Sequence, residues 1–213
     1  TRSLVLEAWL PELVDRARAG QTVVRLQDGD PCLYGALHEV VAHVLRSGLT
    51  FEVVPGVSAF QAAAARLGVE LTVPNLVQTI ILTRTQGATS VPPAEDLARL
   101  AAHRATLCLY LSARHVRRAQ AQLLARYPAD TPIALCYRLG WPEEQIQLAR
   151  LDELADRSEA SQFSRTVLYV ISPALGALTS DQATARSQLY SSSHNHLFRP
   201  ATTVPPPPLS AQT

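Results

Sequence analysis

RLQDGDPCLYG, residues 25–35, is the stretch that decides how this chain is read. QTVVRL (21–26) runs into it as a strand, and residues 34–46 leave it at helical spacing, stopped by Ser47-Gly48. A strand that hands over to a helix through Asp28-Gly29-Asp30-Pro31 makes the loop of an α/β unit. The glycine lets another backbone come close, and the proline stiffens the turn. Taken alone, the loop also fits an ordinary Asp-Gly turn with a helix cap. Two carboxylates make a poor phosphate cradle, and no G-x-x-x-x-G-K is present, which argues against a Walker-type nucleotide site. Acids suit a ligand with hydroxyls or a positive charge.

Working outward, apolar residues at Leu6, Trp9, Leu10, Leu13, Val14 and Ala17 predict a helix over 4–19, ended by Gly20. TFEVVPG (50–56) predicts a short strand, and Ser58 an N-cap for a helix through Leu67. Past Gln78 the pattern repeats: strands over 78–84, 106–112 and 131–138, helices over 93–102 and 114–126, then strands over 145–151 and 165–172. Strands alternating with helices imply an α/β fold with a helix-covered sheet. Residues 71–76, with Pro74, read as a linker. The expected organisation is an N-terminal α/β domain over 1–74, a C-terminal α/β domain over 75–176, and a polar tail over 177–213 whose Pro-rich end is disordered.

Composition narrows the function. A net charge of +1 makes no case for nucleic acid or membrane, and no apolar run is long enough to span a bilayer. Cys32, Cys108 and Cys136 lack metal-ligand spacing and read as reduced thiols of a cytoplasmic protein. No histidine stands in H-E-x-x-H or at zinc spacing with cysteine, so no metal site is expected. His194 and His196 lie in the polar tail. No G-x-S-x-G elbow is present, and carboxylates at alternate turn positions, such as Asp28 and Asp30, seldom face each other as an acid–base pair. The chain has no Met, even at position 1, so the expectation is a removed start or a piece of a longer chain.

RLQDGDPCLYGALHE, FEVVPGVSAFQAAAARLGVELTVP, QTIILTRTQG and TPIALCYRLGWPEEQI follow one another in an order that resembles the tetrapyrrole (corrin/porphyrin) methyltransferases. QTIILTR, the YR-x-x-WP-(acid)-E segment and LYSSSHNHLFRP point to the subgroup that methylates carbon 11 of precorrin-4 in cobalamin synthesis. The resemblance runs from about Ser3 to Pro200. It implies two α/β domains with S-adenosylmethionine in the cleft between them, and a homodimer. It also implies cofactor contacts at Asp28, Gly29, Asp30 and Leu33, and at Ser58 and Ala59 in PGVSA. Leu111 matches a position at methionine or ribose, and Leu139 and Thr166 match positions near adenine. Full-length members begin with a further strand and a G-x-G-P-G-D loop. Neither is in this sequence, so the expectation is an incomplete first domain and weak activity.

The resemblance implies a macrocyclic substrate with many carboxylate arms, which arginines can clamp. Arg84 and Arg138 are the substrate-binding candidates, because both lie at strand ends, and Tyr137 could pack on the macrocycle or on core. Arg114, Arg117 and Arg118 read as a solvated helix face. No general base stands out. Two other readings stay open: a methylase acting elsewhere on the ring or on RNA or a protein histidine, and a non-catalytic remnant that binds cofactor or tetrapyrrole. Near-neutral charge argues against RNA.

Overall fold

The structure is a computed structural model and describes residues 5–87, 89–179, 194, 195, 197 and 200. It divides into two compact units, Thr1–Ala62 and Ala63–Thr213. The expectations for the Pro-rich end and for His196 fall outside the described residues.

In the first unit, α1 (Leu6–Arg18) and α2 (Leu37–Arg46) pair through their apolar stripes. Leu10, Val40 and Val44 form the small core, with Leu6, Trp9, Leu13 and Leu49 packed against it. Arg18 Nη2 donates to Ser47 O at 3.2 Å, and the Arg25 guanidinium lies 5.0 Å over the Trp9 ring. The strands expected over 21–26 and 50–56 are not found: neither segment joins a ladder among the described residues. Val24, Leu26 and Val54 stay exposed. A β-branched run becomes a strand only when another strand pairs with it, so pattern alone over-read these two segments.

α3 (Ala59–Leu67) begins where expected. Ser58 N donates to the Gln61 side chain at 3.0 Å, half of a capping box. Leu71 and Val77 are buried, and Thr106 Oγ1 donates to Leu71 O at 2.9 Å, so the 71–76 segment packs as part of the second unit.

The second unit is built on a five-stranded sheet in the order β1-β2-β5-β3-β4. Its strands are β1 (Ile80–Arg84), β2 (Thr106–Tyr110), β3 (Pro132–Tyr137), β4 (Gln145–Arg150) and β5 (Val167–Ile171). β1 and β2 are parallel, and β5 runs antiparallel to both β2 and β3. Hence β1, β2 and β3 all point the same way. Helices α4 (Leu97–Ala101), α5 (Val116–Leu124) and α6 (Leu154–Ala160) complete the unit. Asp96 caps α4 by accepting from Ala98 N at 2.9 Å. α6 has no counterpart in the sequence reading.

One face of the sheet carries Leu107, Leu109, Ile133, Leu135, Tyr169 and Ile171, packed against Val116, Ala119, Leu123, Leu154 and Ala155 of α5 and α6. Tyr169 is fully buried, and its hydroxyl lies 2.5 Å from Ser158 Oγ. Tyr127 donates to Ala105 O at 2.7 Å, and burial pushes its phenol up to about 12. Burial likewise pushes the Cys108 and Cys136 thiols up to about 12, which leaves them protonated and inert at neutral pH, while Cys32 is exposed. Among the described residues, no helix is long and apolar enough to cross a membrane.

Candidate functional site

In the first unit, the DGDP loop is built around Asp30. Its Oδ1 accepts from Cys32 N at 2.7 Å, closing an Asx turn, and Leu33 N donates to Asp30 O at 3.2 Å. Its Oδ2 takes a longer bond, 3.4 Å, from Gly56 N in the PGVSA segment. One carboxylate therefore holds together the two loops singled out in the sequence. The backbones pass so closely that a Cβ on Gly56 would sit 2.1 Å from Gly29 O. Gly29 itself has φ +68°, the left-handed region that glycine reaches freely. Gln27 Nε2 closes the far end by donating to Gly35 O at 3.1 Å. Asp28 is exposed, Leu33 and Ala59 half-buried, and Ser58 buried. Asp30 thus has a structural part to play, and the exposed groups left to meet a ligand are Asp28 and the Gly29 backbone.

In the second unit, strand directions put the carboxyl ends of β1, β2 and β3 and the amino end of β5 along one edge. In an α/β sheet, ligands bind beyond that edge. Leu111 follows β2, Arg138 follows β3, and Thr166 precedes β5; all three are non-glycine residues with positive φ, at +52°, +47° and +54°. For a β-branched residue such as Thr166 this is an outlier. Strain of this kind gathers at functional sites. Arg138 N donates to Thr166 O at 2.9 Å, which locks two of the three together. Leu111 is strained and also 69% exposed, so packing does not account for its conformation.

The loop after β1 is tied to the loop after β2. Thr85 donates to Ser112 Oγ through its N–H at 2.9 Å and its hydroxyl at 3.0 Å, and Ser112 Oγ donates to Tyr110 O at 2.6 Å. Sequence reasoning missed this buried staple, because threonine and serine in loops carry no distinguishing signal. The same edge holds Arg84, Tyr137 and Leu139. The Arg84 guanidinium donates to Thr85 O, Thr89 O and Ser90 O, at 3.4, 3.2 and 2.8 Å, so it is committed to its own loop. With Arg99 and Arg118 it lines a cavity of about 480 Å³. Arg117 pairs with Asp156 and Glu159 of α6, in keeping with a solvated helix face.

The turn after β3 is held by ring contacts and by Glu144. The Arg138 guanidinium lies over the rings of both Tyr137 and Trp141, 5.2 and 5.5 Å from their centroids. Tyr137 stacks on Phe163 at 4.6 Å with only 9° between the planes. Phe163 is buried in the core. Glu144 braces the turn, accepting from Gly140 N at 2.6 Å and pairing with Arg66 at 3.1 Å. Trp141 is visible in the sequence as an aromatic within a turn, but nothing there shows that it covers Arg138.

Residues 5–155 match the tetrapyrrole (corrin/porphyrin) methylases. The chain belongs to that family. This tetrapyrrole methylase is 40% identical over 200 residues to the precorrin-4 C(11)-methyltransferase of Pseudomonas aeruginosa, covering 94% of the chain and 78% of the relative. It is 37% identical to the cobalt-precorrin-4 C(11)-methyltransferase of Priestia megaterium, covering 93% of the chain and 77% of the relative. Among solved structures, that of a cobalamin biosynthetic enzyme, cobalt precorrin-4 methyltransferase, superposes with a TM-score of 0.79 at 36% identity, over 82% of this chain and 74% of that one. A uroporphyrin-III C-methyl transferase from Thermus thermophilus complexed with S-adenosylhomocysteine gives a TM-score of 0.65 at 27% identity, over 79% of this chain and 74% of that one. The α/β class of the methylase is as expected from its sequence.

Proposed function

We propose that the chain is an S-adenosylmethionine-dependent methyltransferase that methylates carbon 11 of precorrin-4 or cobalt-precorrin-4 in cobalamin biosynthesis. The observation that carries this reading is the 40% identity to a precorrin-4 C(11)-methyltransferase over nearly the whole chain. The residues present suit such a donor. Asp28 is an exposed acid, appropriate to a cationic sulfonium, and Gly29 beside it is also exposed. Leu111 and Leu139 supply apolar surface at the strained edge, as an adenine or a methionine chain requires. On this reading Asp28, Gly29, Asp30, Leu33, Ser58 and Ala59 of the first unit hold the donor, as do Leu111, Leu139 and Thr166 of the second.

When bound, the donor supplies a sulfonium methyl, an electrophile. The carbon that receives it belongs to an electron-rich pyrrolic system and needs little activation, so the protein's work is binding, orientation and exclusion of water. Asp30 fixes the shape of the DGDP loop. The Thr85–Ser112 staple and the Arg138–Thr166 bond fix the sheet edge. Arg138 and Tyr137 are the proposed substrate contacts. Arg84 acts by holding the loop that follows it. A cytoplasmic homodimer belongs to the same proposal.

The test is a reaction with methyl-¹³C donor and precorrin-4 or its cobalt form, read by carbon NMR of the product. The label is expected at carbon 11. A label elsewhere on the ring would favour a methylase of another position. Donor binding without transfer would favour a non-catalytic remnant.

A further inference from the structure

Most of the ion pairs in the second unit are closed. Arg117 meets Glu159 at 2.5 Å, Arg150 meets Asp152 at 2.6 Å, Arg157 meets Glu153 at 2.9 Å, and Arg66 meets Glu144 at 3.1 Å. Arg138 differs. Its nearest acid, Glu143, stays 3.5 Å away, beyond the 2.7–2.9 Å usual for a charge-assisted hydrogen bond. Its guanidinium forms no hydrogen bond among the described residues, although the group is only about one-third exposed.

The same guanidinium is nevertheless held firmly. Its central carbon lies over two rings, those of Tyr137 and Trp141, and Tyr137 is itself stacked on the buried Phe163. The backbone beneath it is pinned at both ends: Arg138 N donates to Thr166 O, and Trp141 N donates to Arg138 O at 3.0 Å. A guanidinium stacked on rings keeps its N–H edge available, the part that pairs two-pronged with a carboxylate. Here that edge is held ready and only loosely neutralised. It stands at the strained carboxyl edge of the sheet. Next to it Glu144 is fully committed, so of the two acids in the turn only Glu143 can yield.

We propose that Glu143 is a resident counter-ion of Arg138 that a carboxylate arm of the macrocyclic substrate displaces, and that Trp141 is a positioning residue that keeps the guanidinium aimed at that arm. This rests on the tetrapyrrole reading above and assigns parts within it to two further residues. No covalent step is involved. The arm exchanges places with one exposed carboxylate.

The experiment is a Soret-band titration of uroporphyrin III, a stable polycarboxylate macrocycle, into wild type, Glu143→Gln, Arg138→Gln, the double variant, Trp141→Leu and Trp141→Phe, with thermal melts as a folding check. Glu143 is exposed, so its variant is expected to fold normally. Removing a competing exposed carboxylate should tighten binding about two- to five-fold, the range of a solvent-exposed pair. Arg138→Gln should weaken binding and erase the gain from Glu143→Gln. Trp141→Leu should weaken binding, and Trp141→Phe should restore most of it. Equal affinity in Glu143→Gln and wild type, or the same gain with and without Arg138, overturns the proposal alone. If none of the proteins binds uroporphyrin III, the tetrapyrrole reading falls with it.

Discussion

Gly56→Ala should weaken the chain's affinity for S-adenosylhomocysteine about tenfold. The added methyl would lie 2.1 Å from the carbonyl oxygen of Gly29 and 3.1 Å from its carbon, and both are backbone atoms that cannot swing aside. The DGDP and PGVSA loops must therefore separate, and the 3.4 Å bond from Gly56 N to Asp30 Oδ2 goes with them. Overpacking of this kind costs about 1–3 kcal/mol. If only about 1.4 kcal/mol of that is felt in the bound state, affinity falls about tenfold. Gly48→Ala is the control. Gly48 has φ +73°, but no atom lies within 4 Å of the new methyl. It should cost about 1–2 kcal/mol in backbone strain and leave cofactor affinity unchanged. Calorimetric titration and a thermal melt of each variant separate the two effects. Equal loss of affinity in both would mean that general destabilisation, and not loop separation, is being measured.

Leu135→Ala should be the most damaging single truncation in the second unit. Leu135 is fully buried on the interior strand β3, opposite Tyr169 of the central strand in the ladder and within the main core cluster. It stands in a cluster tied down on all sides, by α5, α6 and the hydroxyl pair of Tyr169 and Ser158, so the cavity has little room to collapse. The expected loss is about 2–5 kcal/mol. For a chain of this size each kcal/mol lowers the melting temperature by roughly 2–4 °C. Leu148→Ala on β4 is the comparison, since Leu148 is 62% exposed and should change stability by no more than about 0.5 kcal/mol. A denaturant series decides the matter; similar losses at the two positions would contradict the assignment of the core.

The residues show why some of this was legible beforehand and some was not. The second unit read well, because strands such as TLCLY and VLYVI are continuous apolar runs separated by turn chemistry. The two loops of the first unit also read well, since Gly and Pro mark them directly. QTVVRL and TFEVV misled, because a strand exists only in a ladder, and composition cannot show whether a partner is present. α6 was missed: LADRSEA is short, half polar and enclosed between strands. The strained edge was not readable at all. Positive φ at a leucine, an arginine and a threonine contradicts the preferences of all three, and only the surrounding hydrogen bonds reveal it. Arg84 shows the opposite limit. Its place at a strand end was foreseeable, but its attachment to three carbonyls of the following loop was not.

The central claim, which belongs to the proposed function, is that this strained edge serves to hold a methyl donor. Leu111 tests it most directly. Its φ of +52° costs about 1–2 kcal/mol for an L-residue, and its exposed side chain has no packing role to justify that cost. Glycine at this position relieves the strain and removes the apolar contact together. Titration of S-adenosylhomocysteine into wild type and Leu111→Gly, with a melt of each, is therefore the decisive measurement. Wild type should bind in the micromolar range, and Leu111→Gly should melt no lower yet bind about tenfold more weakly, a difference of about 1.4 kcal/mol. Equal affinity of the two proteins, or no binding by wild type, would contradict the claim.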